Sequence, residues 1–243
     1  TMPPPMMMMS YVFSTPRIYE GASITPLVRN MLFDWFDYVY PMKSSTKAQK
    51  AWAMYDWANS TYNLVIGTAI FPIFYSAVTR TAEDGAEGDY ALFFGYTLKN
   101  TEALSYALAF GMALVCILAP TIAGLADYLG RKKIFMKASC YIGSAACASL
   151  YFFDVRHLEL SMVSIVVASV GFWCSYALYN SFLPEVAAVD EQDKLSAKGY
   201  SLGYIGSVLL LVINLVMIMV LNIPAKWCFV SVGIWWAGFA QYT

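Results

Sequence analysis

The chain has 243 residues, 59% of them hydrophobic and only 13% charged, with a formal net charge of −1. Soluble domains carry about 25% charged residues, so this composition points to a membrane protein before any motif is read. The near-neutral charge and lack of a basic stripe give no reason to expect a nucleic-acid partner. A single histidine, His157, excludes a multi-histidine metal site.

Residues 1–50 differ in character from the rest. TMPPPMMMMS lacks the charged start and apolar core of a signal peptide. Leu27 to Tyr40 reads as an amphipathic helix with Asn30, Asp34 and Asp37 on one face. That acidic face is one that anionic lipid headgroups repel. Met42-Lys43-Ser44-Ser45 has the look of a start just before a span, so residues 1–41 are expected to be an extension without a role in transport.

Ala51 to Thr79 is the first expected span, with Asp56 as its one charge. About 20 apolar residues cross a ~30 Å hydrocarbon core as a helix. Asp56, Asn59, Ser60, Asn63 and Gly67 fall in one sector at 100° per residue. In hydrocarbon such a stripe is costly unless it faces other helices or a water-filled cavity. Residues 80–100 read as a solvated loop. Further spans are expected over residues 103–126, 134–153, 160–184, 199–225 and 227–243, for an all-α integral membrane fold of six transmembrane helices. Lys137 lies near the start of the third, where its side chain snorkels to the headgroups. Pro72 and Pro120 are expected to kink their spans, and Pro184-Glu185 to end the fourth. Cys116, Cys140, Cys147, Cys174 and Cys228 lie in uncharged stretches without a CxxC pair, as small packed residues rather than a disulfide framework.

Orientation follows from the basic residues. With the N-terminus in the cytoplasm, the inner segments hold eleven: Arg17, Arg29, Lys43, Lys47, Lys50, Arg131, Lys132, Lys133, Lys137, Lys194 and Lys198. The outer ones hold four, Arg80, Lys99, Arg156 and Lys226, which obeys the positive-inside rule. Six helices with both ends inside look like half of a larger bundle.

Two more stripes answer the first. Ser169, Trp173, Tyr176 and Asn180 share a face of the fourth span, and Tyr200, Gly203, Tyr204, Ser207 and Asn214 a face of the fifth. Interhelical hydrogen bonding accounts for the small residues. For the larger ones the expectation is a cavity near the midplane built from facing spans, with Asn59, Asn63, Tyr176, Asn180, Tyr204 and Asn214 as its lining. Asp56 carries two readings. An ionisable group within a span suits proton coupling. About five residues into the span, roughly 7.5 Å, it also suits a structural or gating role near the positive end of the helix dipole. Gly199, Gly203 and Gly206 allow close backbone approach along the fifth span.

The turn between the second and third spans reads AGLADYLGRKK, Ala123 to Lys133. Gly130 suits a left-handed helix end, and Asp127 and Arg131 are spaced to pair. This string resembles the signature loop of the major facilitator superfamily, G-x-L-A-D-x-x-G-R-[RK], departing at its first glycine, where Ala123 stands. The resemblance implies a latch between two six-helix halves, with Asp127 as the latch acid, Arg131 its partner, and Gly130 and Lys132 completing the motif. YDWANSTY (Tyr55–Tyr62), IFPIFY (Ile70–Tyr75), YNSFLPE (Tyr179–Glu185) and GYSLGYIGS (Gly199–Ser207) are similar to the vacuole-effluxer-like branch of that superfamily. The likeness runs from about Ala51 to the end and covers only an N-terminal half.

The branch implies a secondary active transporter of a small solute working by alternating access. Amino-acid efflux is the activity implied by its fungal members. The partners expected are the solute, a proton if Asp56 couples transport, the lipid bilayer and a C-terminal six-helix half, in a bacterial inner (plasma) membrane and without a cofactor. The alternative is a non-transporting membrane scaffold or receptor of the same fold. An intramembrane enzyme is disfavoured: His157 is in an outer loop, and there is no HExxH.

Overall fold

Thr46 starts the first helix. Its hydroxyl accepts from the Gln49 backbone N–H at 3.2 Å, and the Gln49 side chain accepts from the Thr46 N–H at 2.8 Å. This reciprocal capping satisfies two otherwise orphaned donors. In the computed structural model, which describes residues 46–79 and 90–242, helix α1 therefore spans Lys47–Thr61, four residues earlier than the hydropathy indicates. The extension 1–41, the amphipathic stretch 27–40 and the acidic run 80–89 lie outside the described residues.

The first helix changes pitch at its middle. Tyr62–Ile70 is a π-helix and Phe71–Thr79 is helix α2. Pro72 supplies the reason. A proline ring clashes with the carbonyl four residues back and offers no N–H. Widening the preceding turns relieves that clash, and the Phe71 N–H bonds to Ile66 O, five residues back. The expected kink is thus a widened segment.

The stretch read as a solvated loop contains an antiparallel hairpin, β1 (Tyr90–Phe93) and β2 (Tyr96–Lys99), with Tyr90 opposite Lys99 and Phe93 opposite Tyr96. Phe94 and Gly95 turn it with φ of 49° and 80°. Helix α3 follows directly as Asn100–Tyr128. Its start is tied to the end of α2 by a buried network. Tyr75 Oη donates to Asn100 O at 2.9 Å, Asn100 Nδ2 to Thr79 Oγ1 at 3.1 Å, and Thr79 Oγ1 to Tyr75 O at 2.7 Å.

Gly130, at φ 62°, ends α3 in the left-handed conformation that lacks a Cβ penalty. Helix α4 is Lys132–Ser149 and α5 is Leu158–Ser181, joined by short 3-10 turns over Leu150–Phe152 and Val155–His157. A one-turn helix α6, Leu183–Val186, carries Pro184 in its first turn. Helix α7 is Gln192–Met219 and α8 is Lys226–Phe239. The polar run Gln192–Lys198, which precedes the expected fifth span, is the first part of α7. Hydropathy reports polarity, not helicity, and here Asp193 favours the helix N-terminus while Leu195 is buried. Past Met219 the chain leaves the helix, with Asn222 at φ 52°.

Four of these segments are long and apolar enough to cross a membrane unaided: Lys47–Thr79, Asn100–Tyr128, Val155–Val186 and Gln192–Met219. The chain is an integral membrane protein of helical fold. The tightest pairings are α4 with α5, α1 with α7, α3 with α5 and α4 with α8. Aromatic rings fill the interior. Phe71, Phe74, Phe153 and Phe229 form one cluster, and Tyr62, Phe172 and Trp236 another. All five cysteines are free thiols, four of them buried and Cys116 exposed.

Candidate functional site

Helices α1 and α7 touch along a seam of small residues. A Cβ at Gly203 would lie 2.6 Å from Ser60 Oγ and 3.2 Å from the Asp56 carbonyl oxygen; one at Gly206 would lie 2.9 Å from the Trp57 ring. On the other side, Trp52 Nε1 donates to Tyr179 O at 3.0 Å and the two rings stack at 4.3 Å, which fixes α1 against α5. Where α1 continues into its π segment, the three helices part and leave a cavity of about 320 Å³.

The cavity is lined from three elements. The first helix contributes Asp56, Ser60, Asn63, Leu64 and Thr68. Helix α5 contributes Phe172, Trp173 and Tyr176, and α7 contributes Tyr200, Tyr204 and Ser207. Asp56 is 2% exposed and accepts from Ser60 Oγ at 2.8 Å. Because α1 starts at Lys47, Asp56 lies nine residues in, roughly 14 Å along the axis. The depth removes it from the first turns, where the helix dipole acts. The Tyr176 and Tyr200 hydroxyls are 3.0 Å apart and hydrogen-bonded across α5 and α7.

The structure brings together Asp56, Asn63, Tyr176 and Tyr204 from the expected set. It sets three others apart. Asn59 is 1% exposed, and neither of its amide atoms has a hydrogen-bond partner among the described residues. Asn180 is exposed near the end of α5. Asn214 is fully buried, with its Oδ1 accepting from Ser231 Oγ on α8 at 2.7 Å. The sequence reading missed Leu64, Thr68 and Phe172. Thr68 lies five residues past Asn63, a spacing that a π turn places on one face and 100° per residue does not. Its hydroxyl donates to Asn63 O at 3.0 Å.

At one end of the bundle lies a charged clasp. Lys132 Nζ is 2.9 Å from Asp127 Oδ1 and 2.6 Å from Glu185 Oε1, so it bridges the end of α3 to α6. These two carboxylates, Glu185 first, raise the Lys132 ammonium above its ordinary pKa. Asp127 pairs with Lys132 instead of Arg131. The physical reason is Gly130: once the helix has ended there, residues 127 and 131 no longer lie one helical turn apart. The opposite end has its own ties, from the Phe94 N–H to Glu159 Oε1 at 2.9 Å and from Lys226 Nζ to Phe153 O at 2.7 Å.

Over residues 44–243 the chain matches the family described as "Vacuole effluxer Atg22 like". The chain belongs to this family. It is 31% identical over 207 residues to "Uncharacterized MFS-type transporter YxiO" of Bacillus subtilis, covering 82% of this chain and 46% of that protein. It is 22% identical over 208 residues to "Autophagy-related protein 22-1" of Phaeosphaeria nodorum, covering 67% and 37%. With "Autophagy-related protein 22" of Pyricularia oryzae it shares 22% identity over 162 residues, covering 58% and 24%. The chain thus spans less than half the length of these curated relatives. No solved structure matches it.

Proposed function

We propose that this chain forms one half of a secondary active transporter that moves a small solute by alternating access, with the cavity between α1, α5 and α7 as its share of the solute path. The observation that carries this reading is the cavity itself. Polar groups of three apolar helices converge there, with a buried carboxylate among them, and transporters build their sites in this way from facing spans. The name of the Bacillus subtilis relative supports it.

In this reading α4 and α8 are the two shorter spans of a six-helix half, residues 51–243 form the transmembrane domain, and a second half completes the cavity. The N-terminus faces the cytoplasm, in a bacterial inner membrane. Asp56 carries a proton or gates the path, and amino acids are the first solutes to try, in the direction of efflux. The test is counterflow of labelled solutes into proteoliposomes holding the full-length protein. Saturable exchange of one solute supports the transporter. Absence of exchange across amino acids, peptides, sugars and amines would favour a scaffold or receptor.

The clasp gives a second expectation. Asp127→Asn removes one carboxylate from Lys132 and leaves the cavity lining untouched. Exchange rate at saturating solute should fall about tenfold, a coupling of the usual 1–3 kcal/mol size. Equilibrium solute affinity should change less than about twofold, since no contact to the solute is lost. Equal loss of rate and affinity would remove Asp127 from the conformational cycle.

A further inference from the structure

We infer that the wall this chain gives the cavity recognises an organic ammonium group, seated between the Asp56 carboxylate and the aromatic side chains of α5 and α7. The inference names the solute class for the transporter reading and rests on it for its biological meaning, although binding tests it alone.

The first argument is charge. Asp56 is the one charged side chain lining the cavity, and no lysine or arginine lines it among the described residues. Lys132, in the clasp, belongs to a different part of the fold and has two carboxylates of its own. Ser60 satisfies only one oxygen of Asp56. A carboxylate held among apolar helices is costly without a compensating charge, and a cationic ligand end supplies that charge whenever a proton does not. A solute carboxylate would meet Asp56 on this wall with no partner of opposite sign.

The second argument separates an organic cation from a metal ion. Phe172, Trp173, Tyr176, Tyr200 and Tyr204 line the cavity, and only Asp56 offers it a charged oxygen. Hard metal ions want six or more oxygen ligands. Among the described residues no group of three or more histidine, cysteine or acidic side chains is placed to hold a metal. Aromatic rings attract alkylated ammonium ions by their quadrupole, and such ions surrender hydration at small cost. The cavity volume of about 320 Å³ is in the range of small-solute sites, ~300–1,000 Å³.

The experiment is calorimetric titration of the detergent-purified full-length protein with choline and with its uncharged isostere 3,3-dimethylbutan-1-ol. Choline should bind at least about tenfold more tightly, the size expected of a desolvated cation held by aromatic faces and one charge. Asp56→Asn should weaken choline binding by about tenfold or more, and Tyr176→Leu by about threefold or more. Each should weaken choline binding by a larger factor than it weakens binding of the isostere. Val163→Ala, on an exposed face of α5 away from the cavity, should leave both unchanged. Should Asp56→Asn fail to fold, Asp56→Glu and Tyr176→Leu carry the test. Equal affinity for choline and isostere would overturn the inference, as would choline binding indifferent to Asp56→Glu and Tyr176→Leu. Counterflow of an uncharged or anionic solute that choline does not compete would also overturn it, while leaving the transporter reading intact. Choline binding without counterflow of any amine would do the reverse.

Discussion

Gly171→Leu will prevent this protein from accumulating as a folded species. A Cβ at position 171 would lie 2.5 Å from Gly143 Cα, 2.8 Å from Gly143 N and 2.8 Å from Ser139 O. All three are backbone atoms of α4, so no rotamer change relieves them. Gly143 has no room to retreat either: a Cβ there would lie 2.5 Å from Trp236 Cη2 on α8. Three helices therefore meet at one point, α4 and α5 backbone to backbone and α8 through the Trp236 ring. In lipid this close packing replaces the hydrophobic drive that holds helices together in water. Overpacking by a single methylene costs about 1–3 kcal/mol, and a leucine against backbone should exceed that. The expected readout is loss of the monodisperse peak in size-exclusion chromatography. Gly171→Ala should give an intermediate loss of thermal stability. Gly238→Ala, which meets nothing within 4 Å, should stay within about 0.5 kcal/mol of the parent. A stable, monodisperse Gly171→Leu protein would show that α4 and α5 do not cross here.

Neither of these two glycines stands out in the amino-acid string, which is rich in small residues throughout its apolar stretches. Periodicity gives the angle at which a side chain leaves its helix, but not what stands opposite it. Asn214 shows this well. It shares a face with Tyr200 and Tyr204, yet it lies ten residues beyond Tyr204, roughly 15 Å along the axis. At that depth the neighbour is α8, where Ser231 takes its hydrogen bond. Asn59 is a failure of angle. It stands at the edge of the polar sector, and a shift of one side is enough to turn it into packed protein.

What was legible is the set whose depth and angle both follow from regular helix geometry. Asp56 and Asn63 line the cavity from the first helix, Tyr176 from α5, and Tyr204 from α7, while Ser60, expected only to pack helices together, lines it as well. Beyond Tyr62 the pitch changes, and the 100° rule no longer selects the face. Thr68 was lost for that reason, although Pro72 was the visible signal that the preceding turns could not remain a regular helix. The ends of elements were lost to hydropathy. Its windows erased the polar first part of α7, and they made a plain loop of the hairpin ending at Lys99. The partner of Asp127 was misassigned because spacing arguments assume an unbroken helix, and Gly130 breaks it.

Gly203→Ala should stop solute exchange while the protein still folds, and Ser60→Ala should restore part of it. The added methyl would lie 2.6 Å from Ser60 Oγ, 3.1 Å from Asp56 Cγ and 3.2 Å from Asp56 O. The worst of these contacts is with a side-chain oxygen whose removal leaves the backbone in place. That oxygen also donates to Asp56 Oδ1, so the methyl disturbs the carboxylate in two ways, by direct contact and by displacing its hydrogen-bond donor. The clash should cost about 1–3 kcal/mol of stability and move α1 away from α7 at the floor of the cavity. With Ser60→Ala the methyl regains its space but Asp56 loses its donor. Packing should therefore recover more than exchange does. Thermal unfolding and counterflow, measured on both single variants and the double, form a cycle. Residues in direct contact should couple by about 0.5–3 kcal/mol in stability. Additive effects would mean that Gly203 and Ser60 are not neighbours, and that the seam positioning Asp56 in the cavity lies elsewhere along α7.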